Sequence, residues 1–166
     1  MSRIHRLSLL ALILSAFFPS IALCNGALIV EREAVINASP QKVWKMIGNF
    51  NHLDVWHPAV ANSTLVGDGA TPGDIRTLTL GDGATITEKL VAIDSASYTY
   101  SIEASPLPVE HYVSTLSVKA DDNGGSIVKW SSTFDAKGAP DDKAKDVIAG
   151  IYVAGLGRLS SYFNGK

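Results

Sequence analysis

Hydrophobic and polar positions alternate in short runs through the middle of the chain and recur at helical spacing near its end. Residues 27–36 carry Ile29, Val30, Val35 and Ile36 with alternating charges between them, which predicts a strand. Ser39-Pro40 then opens a helix, because serine caps free amides and proline suits the first helical position. That helix runs to about Ile47, with Val43, Trp44 and Ile47 inward, and Gly48-Asn49 ends it. A second short helix is expected from Asn51 to Trp56, stopped by Pro58. Strands follow at Val60 to Val66, 75–80, 84–92 and 96–103, then two more with Tyr112, Ser114, Leu116 and Val118 on one inner face and Val128, Trp130, Ser132 and Phe134 on the other. From Asp142 onward Val147, Ile148, Ile151, Tyr152, Gly155, Leu156, Leu159 and Tyr162 form one apolar helical stripe. Gly155 and Gly157 lower helix propensity there, and a close approach to the sheet would explain both. One strand, two short helices, six strands and one long helix predict an α+β domain. Its antiparallel sheet of about seven strands curves around the C-terminal helix, leaving room for a cavity between them.

One position breaks the pattern. In 84–92 one face reads Ala84, Ile86, Glu88, Leu90, Ala92, apolar except for a carboxylate. The preceding run places Arg76 on a face with Leu78 and Leu80. Gly81-Asp82-Gly83 is a three-residue hairpin loop. Pairing Leu80 with Ala84 sets Leu78 opposite Ile86 and Arg76 opposite Glu88. A lone buried charge is very costly, so two inward charges must face each other. The hairpin therefore predicts an acid and a base meeting inside the cavity.

The chain ends change the picture of where the protein works. Arg3, His5 and Arg6 precede an apolar run over 7–18, and Pro19 and small residues follow. This is the layout of a secretory signal peptide over 1–24, too short for a membrane span. A lipid anchor on Cys24 is the competing reading, and Leu23 is a poor neighbour for one. A domain over 27–166 remains, exported to the periplasm or beyond. Cys24 is the only cysteine, so that domain has no disulfide and relies on its core. Two of the 14 basic residues lie in the leader, against 16 acidic ones, for a net charge near −4 after cleavage. There is no basic stripe, which argues against nucleic acid and anionic membranes as partners.

Other chemistry is sparse. His52, Asp54 and His57 suggest a metal, but histidines five apart do not share a helix face and no third histidine is near. No nucleophile motif and no phosphate loop occur, and no cofactor is expected. His57, between Trp56 and Pro58, is placed at the pocket mouth or at a turn. His111 lies outward or at a strand end.

The stretches Ser39-Pro40-Gln41-Lys42-Val43-Trp44, Trp56-His57-Pro58, Arg76-Thr77-Leu78, Thr87-Glu88-Lys89-Leu90, Pro106-Leu107-Pro108-Val109 and Tyr112-Val113-Ser114-Thr115, with the final helix, span almost all of 28–163. In that order the chain resembles the START-like superfamily, which includes the birch pollen allergen and has a helix-grip fold. Within it the chain is similar to polyketide cyclase/dehydrase-related (SRPBCC) proteins, most closely the exported MxaD-type members. The resemblance implies a hydrophobic ligand cavity under the long helix. MxaD-type proteins are associated with periplasmic methanol oxidation, which implies a periplasmic redox enzyme as a partner. Plant hormone receptors and a lachrymatory factor synthase in the superfamily carry a pocket carboxylate in a segment like the one holding Glu88. The synthase pairs its carboxylate with an arginine placed like Arg76. The receptors' gate sequence is absent, with Gly81-Asp82-Gly83 in its place.

Three readings remain open. The leading one is binding of a small apolar or amphipathic molecule, with Arg76 and Glu88 at its polar end. Tyr100, Tyr112, Ser114, Trp130, Tyr152, Trp56 and His57 would surround the rest. The second is a cyclase, dehydratase or isomerase with Glu88 as base and Arg76 stabilising negative charge. The third is an accessory protein that docks a redox enzyme and uses the cavity little. A structural ion pair and plain core aromatics are the alternatives for the same residues.

Overall fold

The computed structural model describes residues 28–165. The elements are β1 (Leu28–Ile36), α1 (Pro40–Ile47), α2 (Leu53–Trp56), β2 (Val60–Val66), β3 (Ile75–Leu80), β4 (Thr85–Ile93), β5 (Ser97–Ala104), β6 (Val109–Ala120), β7 (Ser126–Ala136) and α3 (Asp141–Asn164). The seven strands form one antiparallel sheet in the order β1-β7-β6-β5-β4-β3-β2. Strands β2 to β7 are sequential neighbours, as hairpins require, and β7 returns to pair with β1. Thus β1 and β2, adjacent in sequence, lie at opposite edges. The connection carrying α1 and α2 must span the whole sheet, which explains why two helices sit there. The expected curved sheet around a C-terminal helix stands.

The capping chemistry is as expected. Ser39 Oγ accepts the Lys42 amide at 3.4 Å, Pro40 opens α1, and the Gly48 amide closes it on the Trp44 carbonyl. The second helix is shorter than its pattern suggested. Asn49 accepts the Asn51 amide through its side chain and the His52 amide through its carbonyl. Those bonds hold 49–52 as a turn, so α2 starts only at Leu53.

Val30, Leu78, Leu90, Tyr98, Leu116, Val128 and Phe134 are buried; α3 packs mainly on β1 and then β7, while α1 covers β6 and β7 and Tyr98 lies against Trp44 and Phe50. The buried line of α3 is Ala144, Ile148, Tyr152, Gly155, Leu156 and Leu159, narrower than the stripe in the sequence. Val147 and Tyr162 flank it and are 40% and 60% exposed. Gly155 is a close approach. A Cβ there would lie 2.6 Å from His57 Cδ2 and 3.0 Å from both Trp130 and Trp56. Gly157 meets nothing within 4 Å, so the packing reason given for both glycines holds for Gly155 alone.

Candidate functional site

The β3–β4 hairpin has the register its alternation predicted. Leu78 pairs with Ile86 and Arg76 with Glu88, and the Leu80 amide bonds the Ala84 carbonyl. Both charged side chains point inward. Arg76 is 0% and Glu88 4% exposed. Arg76 Nε donates to Glu88 Oε2 at 2.5 Å, and Arg76 Nη1 donates to the Phe50 carbonyl. The guanidinium carbon lies 4.2 Å from the Phe50 ring centre, 5.0 Å from Tyr100 and 5.7 Å from Tyr98. A desolvated cation over aromatic faces gains about 2 kcal/mol, which helps offset its burial. Burial pulls the guanidinium pKa down, but Glu88 and the two tyrosines outweigh it and the net shift is upward. Burial raises the Glu88 pKa, and Arg76 opposes that rise. At 2.5 Å from a fixed cation, Glu88 is the ionised partner of the pair.

Between the sheet and α3 lies a cavity of about 80 Å³. Leu53, Leu78, Ile86, Leu107, Ile148 and Ile151 make most of its apolar wall. Glu88, His57, Tyr100, Tyr112, Trp130 and Tyr152 also reach it. Its volume exceeds what one water needs, but it is well below the ~300–1,000 Å³ of pockets that take drug-sized ligands. Arg76, Ser114 and Trp56 do not line it. Arg76 stands behind Glu88, Ser114 behind Tyr152, and Trp56 packs on Trp130 at 5.6 Å between ring centres. Of the residues singled out in the sequence, six thus share the cavity and three support it. Among the described residues, no three His, Cys, Asp or Glu side chains gather as metal ligands.

The polar wall is a directed chain. Ser114 Oγ must donate to the Ser131 carbonyl at 2.9 Å, since a carbonyl only accepts. Its 3.0 Å bond to Tyr152 Oη is therefore donated by tyrosine, and the 2.5 Å bond between Tyr112 and Tyr152 is donated by Tyr112. Trp130 Nε1 donates to Tyr100 Oη at 3.0 Å and to Ser114 Oγ at 3.1 Å. Burial raises the pKa of Tyr100, Tyr112 and Tyr152, so all three stay protonated phenols.

His57 ties the α2–β2 junction to α3. Its Nδ1 accepts the Ala59 amide at 3.2 Å, which leaves Nε2 protonated and donating to the Ile151 carbonyl at 3.0 Å. The ring meets Trp130 edge-on and fills the notch over Gly155. Burial lowers its pKa, opposed by the Ile151 carbonyl and aided by Arg76, so the imidazole is neutral. His111 lies outside the site. It has a φ of 52° at a bulge between Glu110 and Val113, and Nδ1 lies 2.9 Å from Asp135 Oδ2. The extra residue in the bulge keeps Tyr112 facing inward.

Several wall residues went unmarked in the sequence. Leu78, Leu80 and Ile86 share the Arg76/Glu88 face, so the alternation already held that signal. Ile148 and Ile151 belong to the apolar stripe of the last helix, whereas Leu107, in the loop before β6, carries no local mark of its role. The Phe50 carbonyl that holds Arg76 is backbone, for which side-chain patterns give no sign.

A family model described as polyketide cyclase/dehydrase and lipid transport matches residues 27–164. The chain belongs to that family. Among its relatives, MLP-like protein 423 of Arabidopsis thaliana is 32% identical over 125 residues, covering 67% of this chain and 77% of the relative. XoxI of Bacillus cereus is 37% identical, with a TM-score of 0.77 over 82% of this chain and 95% of that one. Ara h 8.0201 is 24% identical with a TM-score of 0.66, covering 84% of this chain and 99% of its own, a likeness of fold alone. The expected START-like, polyketide cyclase/dehydrase-related membership therefore holds. The signal peptide expected over 1–24 lies outside the described residues. No helix among the described residues is long and apolar enough to cross a membrane.

Proposed function

We propose that this protein binds a small, largely apolar molecule in the cavity beneath α3, with Glu88 as its polar contact. One observation carries the reading. A largely apolar wall is interrupted by a single ionised carboxylate, of which only Oε2 is bonded by Arg76. A purely structural ion pair would not need an edge on a cavity. The family's description, which includes lipid transport, agrees with an apolar ligand. Residues 1–24 would export the protein, placing the binding event outside the cytoplasm. Arg76 acts here as the anchor that aims Glu88, rather than as a ligand contact. Glu88 as a general base belongs to the same geometry, because burial raises its pKa.

A second reading is favoured by the small size of the cavity. Lys42, Lys45, Met46, His52, Val55, Tyr162 and Phe163 line an outer groove in which Val55 and Tyr162 are exposed. Docking of a periplasmic redox enzyme there would use the fold as an accessory surface. Native mass spectrometry of protein purified from its host separates the two. The binding reading expects a small adduct that is released on denaturation. An adduct-free protein that co-purifies with a redox enzyme would overturn it.

A further inference from the structure

We infer that the cavity selects uncharged ligands that bring their own hydrogen-bond donor, a hydroxyl or an N–H, and turns away carboxylates of the same shape. This rests on the binding reading above and adds the chemical class. Most protons on the wall are already committed. Tyr112 spends its proton on Tyr152, Tyr152 on Ser114, and Ser114 on the Ser131 carbonyl. The Trp130 N–H is shared between the Tyr100 and Ser114 oxygens, which fills Ser114, and the Tyr100 hydroxyl is the one wall hydroxyl donor outside that chain. His57 Nε2–H is spent on the Ile151 carbonyl. The chain of donors thus runs away from the cavity and ends in the backbone of β7. On the wall itself an acceptor is left over, while the buried Trp56 Nε1 and Arg76 Nη2 donors that lack partners among the described residues stand behind the lining. Glu88 Oε1 makes no hydrogen bond among the described residues, while Oε2 is held by Arg76.

The guanidinium offers no help to an anion, because it is fully enclosed by Phe50, Tyr98, Tyr100 and Glu88 and does not line the cavity. An incoming carboxylate would meet the Glu88 carboxylate first, in a space too dry to screen the repulsion. A ligand with no donor would leave Oε1 buried without a partner. Hydrogen bonds to charged groups at such sites change affinity about 10- to 100-fold. The small volume confines the class to compact molecules, of about one ring, unless the wall moves.

The test uses phenol, toluene and benzoate, three compounds of one shape class. Each is titrated at neutral pH into the purified protein, with the methyl NMR signals of Leu78, Leu107, Ile148 and Ile151 as readout. Phenol is expected to bind at least about tenfold more tightly than either of the others. In the double variant Arg76→Met/Glu88→Met, which removes both buried charges together, phenol and toluene are expected to bind alike. Toluene or benzoate equalling phenol in the wild type would overturn the donor rule while leaving the binding reading in place. A phenol preference that survives in the double variant would overturn the assignment to Glu88. No shift of the cavity methyls with any of the three would overturn the binding reading, and the inference with it.

Discussion

Replacing Arg76 by Met leaves the Glu88 carboxylate buried beneath α3 without its cation. Breaking a buried pair from one side costs about 3–5 kcal/mol. Glu88→Met strands a guanidinium that is 0% exposed, with a cost of the same order. The double variant removes both charges and keeps apolar volume. Its main loss is the bond from Arg76 to the Phe50 carbonyl, about 1–3 kcal/mol for a buried acceptor left alone. The singles therefore sum to about 6–10 kcal/mol, whereas the double should lose only about 1–3. The coupling exceeds about 3 kcal/mol, at or above the upper end for residues in contact. Urea unfolding followed by tryptophan fluorescence measures all four proteins, since Trp56 and Trp130 are buried close to the site. Additive losses, with the double as unstable as the two singles together, would refute the claim that the hairpin holds one closed ion pair in a dry core.

Gly155→Ala pushes a methyl to 2.6 Å from the His57 ring. Overpacking of about 1–3 kcal/mol should outweigh the gain of about 1 kcal/mol in helix propensity, so the urea midpoint falls. Gly157→Ala, with nothing within 4 Å, should raise it. Burial depresses the His57 pKa in the folded state, so the unfolded chain binds the proton more readily. The stability held by neutral His57 is then complete above about pH 6.5 and is lost as pH falls from there through the lowered folded value. His57→Gln should flatten that part of a plot of unfolding midpoint against pH, and an unchanged slope would contradict the neutral tautomer. Tyr112→Phe removes the first donor of the chain and should cost about 1 kcal/mol in urea unfolding, because Tyr152 keeps Ser114 as its acceptor.

The hairpin was readable because three independent rules agree on it. Alternation fixes the faces, the loop Gly81-Asp82-Gly83 fixes the register, and the cost of a lone charge joins Arg76 to Glu88. The inward faces of β5 to β7 were legible for the same reason, since a two-residue period has no other buried solution. What escaped is what period alone does not encode. The helical stripe was read too wide, because Val147 and Tyr162 are apolar but lie on its flanks. The division between Glu88 on the wall and Arg76 behind it depends on the Phe50 carbonyl and the ring box, which are tertiary contacts. The His111 bulge keeps Tyr112 inward through a backbone irregularity that no side-chain pattern announces.

The most direct measurement is the set of intermolecular NOEs from phenol to the protein at saturation. Ring protons close to the methyls of Leu78, Leu107 and Ile148, together with a hydroxyl proton shifted downfield by a carboxylate, are the expected result. Contacts confined to Val55 and Tyr162 on the outer groove would contradict the account.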